Sequence, residues 1–311
     1  VIVVGDVGGT HTRFALAERS GNDWRFVHLE QRATSPHATA ALQRYLESVG
    51  APALSGAAFC GAGPVLADGS IRLTNIDARL EPAELAAAAG VPRALLVNDF
   101  EAVAHAIPHL PAAALATCGS GVAVPTAPRV VLGPGTGLGV AVCAPSADGW
   151  SVIAGEGGHA DLAPVDDEEL EAWQRLRERH GRVSLEMALS GPGLEQLYTA
   201  IGPGGALRAP EIADAAWRGD DAAARAIRLF TRWLGRVAGN LALTAAARGG
   251  VYLAGGIIPS WGSRFDAEVF RTAFEDKPPH SEWLRGIPCH VVQYPQPGLY
   301  GLAILSATAG R

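Results

Sequence analysis

Asn98 and Asp99 stand directly after the apolar run 94–97 and just before a stretch that reads as a helix beginning near Phe100. At such a strand-to-helix junction the helix dipole favours an anionic acceptor, and a carboxylate there can take a proton from a hydroxyl. Asp and Asn are also favoured helix N-caps, a purely structural use of the same pair. Glu156 lies between glycines in AGEGGHADLAP with His159 three residues on, and Glu186 precedes SGPG in SLEMALSGPG. Each has a plain alternative: a loop acid for Glu156, a satisfied core histidine for His159, an ordinary helix acid for Glu186.

The second kind of chemistry belongs to glycine turns. Gly8, Gly9 and Thr10 follow an apolar strand and Asp6, so their turn can bring backbone N–H groups close to an anion while Thr10 adds a hydroxyl donor. A carboxylate at Asp6 makes sense beside such a turn if a magnesium ion sits between it and phosphates; a simple glycine hairpin is the competing reading. Gly133, Gly135, Thr136, Gly137 and Gly139 repeat the device, and Ala254-Gly255-Gly256-Ile257 adds a third glycine turn after a strand. Three such turns point to a nucleotide. None has the strand-to-helix GxGxxG spacing of a dinucleotide site.

Strands and helices must hold these residues in place. Residues 1–4, 13–18 and 24–31 have strand character and turn residues between them, a helix is predicted over 35–49, and 56–60 and 94–97 read as short buried strands. The helix between those two has Pro82 in its first turn and Gly90 as its stop. In the second half, 129–132, 140–143, 150–154 and 251–254 read as strands, and 168–179, 193–200 and 220–246 as helices. The uncharged stretches 110–128 and 130–147 are broken by Gly, Pro, Ser and Thr, so they are predicted to be buried strands with their turns and not membrane spans. VIVVGDVGGTHTRFALA at residue 1 and RVVLGPGTGLGVAVCAP at residue 129 are both strand, Gly-Thr turn, strand, which suggests a duplicated fold.

Composition narrows the function classes. The 311 residues are 48% hydrophobic and 18% charged with 38 Gly and 21 Pro, a turn-rich globular chain and not a disordered, coiled-coil or collagen-like one. A net charge of -6 leaves no basic surplus for a nucleic-acid backbone or an anionic membrane surface. Lys277 is the one lysine of the sequence. No GxxxxGK[ST] occurs, and Schiff-base chemistry would have to use Lys277, beside Pro278 and Pro279 in a predicted surface turn. Cys60, Cys118, Cys143 and Cys289 are far apart with no CxxC pair, so they read as buried small hydrophobes in a reducing compartment. The opening residues carry no basic and apolar export pattern.

Taken in order, DVGGTHTRFALAE, VNDFEAVAHAIP, GPGTGLGVA, GEGGHADLAP, SLEMALSGPGLEQLY, GRVAGNLAL and AGGIIP with AFEDK resemble the bacterial glucokinases, at matching spacing over nearly the whole chain. The cysteine cluster of the ROK sugar kinases is missing, so the resemblance is to the other bacterial glucokinase group. It implies an α/β, two-domain actin-like ATPase (ribonuclease H-like) fold with a cleft between the domains. Residues 1–109, joined by a C-terminal helix at about 299–311, would form a small domain and 110–298 a large one.

The resemblance further implies phosphorylation of the 6-hydroxyl of D-glucose with ATP and magnesium, in a cytoplasmic homodimer that binds neither nucleic acid nor membrane. By the same similarity Asp99 is the catalytic base, and Asn98, Glu156, His159 and Glu186 hold the sugar hydroxyls, for which carboxylates, an amide and an imidazole supply directional partners. Asp6, Gly8, Gly9, Thr10, Gly135 and Thr136 would face the phosphates and the metal, and Gly255 and Gly256 the adenosine. A glucose-binding regulator of the same fold with weak kinase activity is the alternative; Asp99, Asp6 and the Thr136 turn argue for turnover, since sugar binding alone needs no phosphate turns. The chain departs from the family at His11, commonly Asn, at Pro134, often Ala, and after Thr74-Asn75, where an aromatic residue often follows.

Overall fold

A computed structural model of the chain describes residues 1–21, 23–74, 76–147, 149–202 and 205–309; Asn75 therefore lies outside the described residues. The chain divides into two compact units, one made of Val1–Leu110, Val152–Ala154 and Tyr294 onward, the other of Pro111–Ser151 and Gly155–Gln293.

In the first unit the opening apolar run becomes β1 (Ile2–Val7), followed by β2 (His11–Ser20), β3 (Asp23–Ala33), α1 (Ala38–Ser48), β4 (Gly56–Gly61), the short pair β5 (Ile71–Arg72) and β6 (Arg79–Leu80), α2 (Pro82–Ala89), β7 (Ala94–Asn98) and α3 (Asp99–Ala106). The main sheet has the order β3-β2-β1-β4-β7. β3, β2 and β1 pair antiparallel, whereas β1, β4 and β7 run parallel. β1 is buried almost throughout because it has a strand on each side and helices over both faces. Phe14, Leu42, Tyr45, Phe59 and Leu85 fill the face under α1 and α2. Ile2, Val4, Ala58, Ala102, Leu299 and Leu302 fill the other, under α3 and the last helix of the chain. Pro82 opens α2 and Gly90, at φ 67°, closes it, as the sequence punctuation predicts.

The second unit contains β8 (Leu115–Cys118), β9 (Arg129–Pro134), β10 (Leu138–Ser146), β11 (Gly149–Gly155), α4 (Asp167–His180), α5 (Leu185–Ala188), α6 (Gly191–Ile201), α7 (Ala209–Trp217), α8 (Asp221–Ala245), β12 (Val251–Leu253), α9 (Ile257–Trp261), α10 (Ala267–Glu275), α11 (Ser281–Arg285) and β13 (Cys289–Val292). The last helix, α12 (Pro297–Ala309), belongs to the first unit. The strand order is β11-β10-β9-β12-β13-β8. Without β8 this is the first sheet's connectivity over again, which makes the internal similarity of the two openings a structural duplication. The longest helix, α8, presents Phe230, Trp233, Leu234 and Val237 to the core. Among the described residues no helix is long and apolar enough to cross a membrane.

One expectation needs correction. In the stretch 110–128 only Leu115–Cys118 is a strand, and most of the remainder is exposed or half-buried, Val122 by 79%. Pro111, Pro125 and Pro128 supply no N–H to a ladder, and the many alanines bring little apolar area to bury. Lys277 heads the expected exposed turn, closed by His280 N–H donating to Lys277 O at 2.7 Å, but its own side chain is half-buried. Its stem lies over Gly239 of α8, where the missing side chain makes room. Burial, then the Arg236 charge, holds its ammonium below the ordinary lysine value, against the opposing pull of Asp276 and Glu169. All four cysteines are buried, as expected.

In the first unit α12 packs on α3 at Gly301, where a Cβ would overlap the Ala102 carbonyl. Backbone cannot yield as a flexible side chain does. Gly301→Ala is expected to cost about 1–3 kcal/mol of stability through overpacking, measured as a lower urea midpoint at unchanged m; a midpoint equal to the native one would show that α3 and α12 separate freely.

Candidate functional site

In the first unit the candidate residues lie at one end of the sheet, past the carboxyl ends of the parallel strands β1, β4 and β7, where open α/β sheets hold their ligands. Adjacent strands place Arg13, Asp6, Cys60 and Val97 in one row. The Asp6 carboxylate accepts from Arg13 Nη1 at 3.3 Å, and the Cys60 thiol points to its other oxygen at 3.6 Å. Arg13 Nε donates in turn to Gln31 Oε1 at 2.9 Å. Although 23% of the Asp6 side chain is accessible, burial pushes its carboxyl above the ordinary value and Arg13 offsets this only in part. Burial and then the charges of Asp6 and Asp99 push the Cys60 thiol well up, so both carboxylates act on this one position.

Gly8, Gly9 and Thr10 form the turn from β1 to β2. It is a tight hairpin: Gly8 N–H donates to the His11 carbonyl at 3.0 Å, and Thr34 ties the turn to β3 by donating its N–H to Thr10 O at 3.0 Å and its hydroxyl to Gly8 O at 2.8 Å. His11 opens β2 with its side chain exposed, while Thr12 faces inward, the alternation expected of a strand.

Asn98 takes the N-cap of α3: its Oδ1 accepts from the N–H groups of Phe100 at 2.8 Å and Glu101 at 3.2 Å, and its Nδ2 donates to Gly63 O at 3.1 Å. One amide hydrogen is left over from these bonds. Asp99 is the first helical residue, half-buried, with Oδ1 2.9 Å from the Phe100 nitrogen. Of the two uses read for this pair, capping falls to Asn98.

The second unit gathers the other candidates around β9 and β10. Gly135, Thr136 and Gly137 form the turn between these strands, closed by Gly135 N–H to Gly137 O at 2.8 Å. Gly255, at φ 78°, lies against it, since a Cβ there would come 2.5 Å from Pro134 O; only glycine tolerates both the conformation and the contact. Pro134 ends β9 in line, buried, and Gly256 follows beside Gly135. Glu186, the second residue of α5, reaches across to accept from Leu138 N–H at 2.8 Å.

Glu156 precedes and His159 ends a single turn of 3₁₀ helix, Gly157–His159, with Nε2 of the imidazole 3.9 Å from the Glu156 carboxylate. Both are exposed, so His159 is not a core histidine. The turn is seated by Gly158, whose missing Cβ makes room for the Leu138 carbonyl, and by Arg182, which donates to His159 O at 2.9 Å and to Asp161 Oδ1 at 2.5 Å.

A cavity of ≈ 230 Å³ opens beside Gly256, lined by Leu194, Ala213, Asp214, Trp217, Ser260 and Trp261 among others. The Arg264 guanidinium stacks over the Trp217 ring at 4.5 Å. Sequence reading missed this cavity, as it did Arg13, Arg182 and the amide of Leu138. Arg13 was detectable in principle, since a hairpin with Gly8 opposite His11 pairs Asp6 with Arg13. The others had no local signal.

Among the described residues no group of three or more His, Cys, Asp or Glu could hold a metal by itself. Magnesium commonly takes one or two carboxylates and completes its shell with water and substrate phosphates. The half-buried Asp6 carboxylate, beside a turn of backbone N–H groups, fits that mode.

A family model described as Glucokinase matches residues 3–309. A glucokinase from Ralstonia nicotianae (strain ATCC BAA-1114 / GMI1000) is 42% identical over 324 residues, covering 96% of this chain and 93% of its own length. The crystal structure of a glucokinase from an Antarctic psychrotroph superposes with a TM-score of 0.85 at 31% identity, covering 99% of this chain and 98% of that one. A ROK family glucokinase from Streptomyces griseus, in complex with glucose and AMPPNP, shares the fold at a TM-score of 0.63 and 20% identity, over 98% of each chain.

A carboxyl raised on folding binds its proton more tightly in the folded chain, so its contribution to stability is greatest at low pH and is lost as pH rises through the raised value. Charged Asp6 therefore costs stability at neutral pH. Asp6→Asn is expected to melt at or above the native temperature at pH 7, with the difference closing as pH falls into the ordinary carboxylate range. A variant less stable than the native protein at pH 7 would mean that the Arg13 pair outweighs desolvation.

Proposed function

Because this chain belongs to the glucokinase family, we propose that it transfers the γ-phosphoryl group of ATP to the 6-hydroxyl of D-glucose, releasing glucose 6-phosphate and ADP. The observation that supports the reading is at the start of α3, where Asn98 makes the cap and places the half-buried Asp99 carboxylate beside it at the carboxyl end of β7; we assign that carboxylate to the hydroxyl. The 6-oxygen attacks the γ-phosphorus as the bond to the ADP oxygen breaks, and the hydroxyl proton passes to Asp99. Most of the catalysis in such a transfer is positioning and charge stabilisation, with the base accepting a proton late. Glu156, His159, Glu186 and the remaining amide hydrogen of Asn98 hold the other hydroxyls.

The phosphates are assigned to the turns at Gly8, Gly9 and Thr10 and at Gly135 and Thr136. Arg13 would supply positive charge near the first turn, which matters in a chain with one lysine. Magnesium, held by Asp6, would offset charge on the phosphate oxygens. The adenosine is assigned to the cavity beside Gly255 and Gly256, where Trp217 and Trp261 offer apolar faces and Asp214 and Ser260 polar atoms to a ribose or base edge. The AMPPNP and glucose of the Streptomyces griseus enzyme support this pair of ligands. The homodimer and the cytoplasm belong to the same proposal.

A coupled assay of ADP release over a panel of hexoses tests the activity; glucose is expected to give the highest kcat/KM, and turnover absent on every sugar would leave a binding protein. Asp99→Asn is expected to lower kcat by about 10²–10⁴-fold, with a much smaller change in glucose affinity, because an amide still bonds the hydroxyl. Near-native turnover in that variant would remove Asp99 as the base. Ser260→Trp fills the cavity and is expected to raise the KM for ATP about tenfold or more while leaving the KM for glucose nearly unchanged; an unchanged KM for ATP would place the adenosine elsewhere.

A further inference from the structure

Glu186 is assigned above to the sugar, yet its carboxylate is already engaged. Oε2 accepts the Leu138 N–H at 2.8 Å, the first amide after the Gly135–Gly137 turn. The same oxygen lies where a Cβ on Gly137 would stand, while Oε1 is farther off, at 3.8 Å. Glycine at 137 is therefore what lets the carboxylate reach the backbone. The turn has a second anchor in Gly191 N–H, at the start of α6, which donates to Gly135 O at 2.8 Å. Both anchors come from one short piece of chain, because Gly193 of α6 packs on the Glu186 carbonyl and Ser184 caps α5. That piece also carries the Glu156–His159 turn: Leu185 N–H donates to Ala160 O at 2.9 Å, and Ser184 bridges Asp161.

We infer that Glu186 is a positioning residue for the phosphate turn as well as a sugar ligand, so that one carboxylate couples sugar binding to nucleotide binding. The argument rests on the glucokinase reading for the identity of the two ligands. Its direction follows from charge. With no sugar present, the carboxylate places a full negative charge one residue from the turn assigned to the triphosphate, which opposes the nucleotide. A sugar hydroxyl donating to Oε1 draws off part of that charge and fixes the side chain on Leu138. Glucose should tighten the nucleotide, and by linkage the nucleotide should tighten glucose by the same factor.

The test is calorimetric binding of AMPPNP with and without saturating glucose, in the presence of magnesium, for the native protein, Gly137→Ala, Glu186→Gln and the double variant. The native protein is expected to bind AMPPNP at least about fivefold more tightly with glucose, within the usual range of such coupling. Gly137→Ala displaces the carboxylate from the Leu138 N–H, and Glu186→Gln removes its charge at constant shape. Each should bring the ratio to within about twofold of unity, with the double variant no lower, as expected when two changes break one link. A native ratio of one, a ratio unchanged in either single variant, or a further fall in the double variant would overturn the inference. Glucose phosphorylation by the native protein is read separately, so failure of the proposed activity and failure of the coupling give different results. Should Gly137→Ala not fold, the shape-preserving Glu186→Gln decides alone.

Discussion

Backbone approaching backbone more closely than any side chain permits is the constraint on which the chemistry of this chain depends. Gly158 lies on the carbonyl of Leu138, Gly255 on that of Pro134 and Gly63 on that of Arg72. Each contact sets a strand end or loop beside the next with no side chain between them. Exposed N–H groups at such turns can then meet an anion directly. A methyl group at any of the three would push apart the segments that carry Glu156, His159, the Gly135 turn or Asn98. The abundance of glycine is in that sense part of the site.

The two sheets use this constraint in different ways. Each begins with strand, glycine turn and strand, and each continues with parallel strands whose carboxyl ends carry candidate groups. In the first, those ends carry the carboxylates Asp6 and Asp99 on either side of Cys60. In the second, the corresponding ends carry glycine turns, and the acidic residues arrive from the helical insertion after β11. Duplication supplied the frame, and the strand ends diverged: those of the first unit carry acids beside a glycine turn, those of the second carry glycine turns.

Charge is managed sparingly. Glu169, fully buried at the first turn of α4, is held by Arg236 at 2.6 Å and by Arg232 at 3.0 Å, and it accepts the Val165 N–H at 2.9 Å. A buried ion of this kind recovers its desolvation only when every oxygen is engaged. It anchors the chain just after the loop of Glu156 and His159. Asp6 is the opposite case, a carboxylate left partly uncompensated where a cation is expected to bind. Glu169 has both its oxygens engaged; Asp6, the candidate metal ligand, bears an open cost.

Local sequence decided much of this protein. Apolar runs placed β1, β4, β7 and β9, Pro82 and Gly90 bounded α2, and the GGT and GTG turns were recognisable because glycine after an apolar strand has few other uses. Ordered motifs over nearly the whole length identified the family and made Asn98, Asp99, Glu156, His159 and Glu186 the candidates for its site. Other features depended on residues far apart in the chain. Which of Asn98 and Asp99 caps α3 was settled by a carbonyl at Gly63. Arg13 met Asp6 only through the register of β1 and β2, and Glu186 met Leu138 across 48 residues of sequence. The cavity of Leu194, Trp217 and Trp261 was assembled from three helices, none of which has a local pattern for it. Periodicity and turn chemistry act over a few residues and are legible in one dimension. Hydrogen bonds and cavities between distant segments exist only once packing has chosen which backbones lie together.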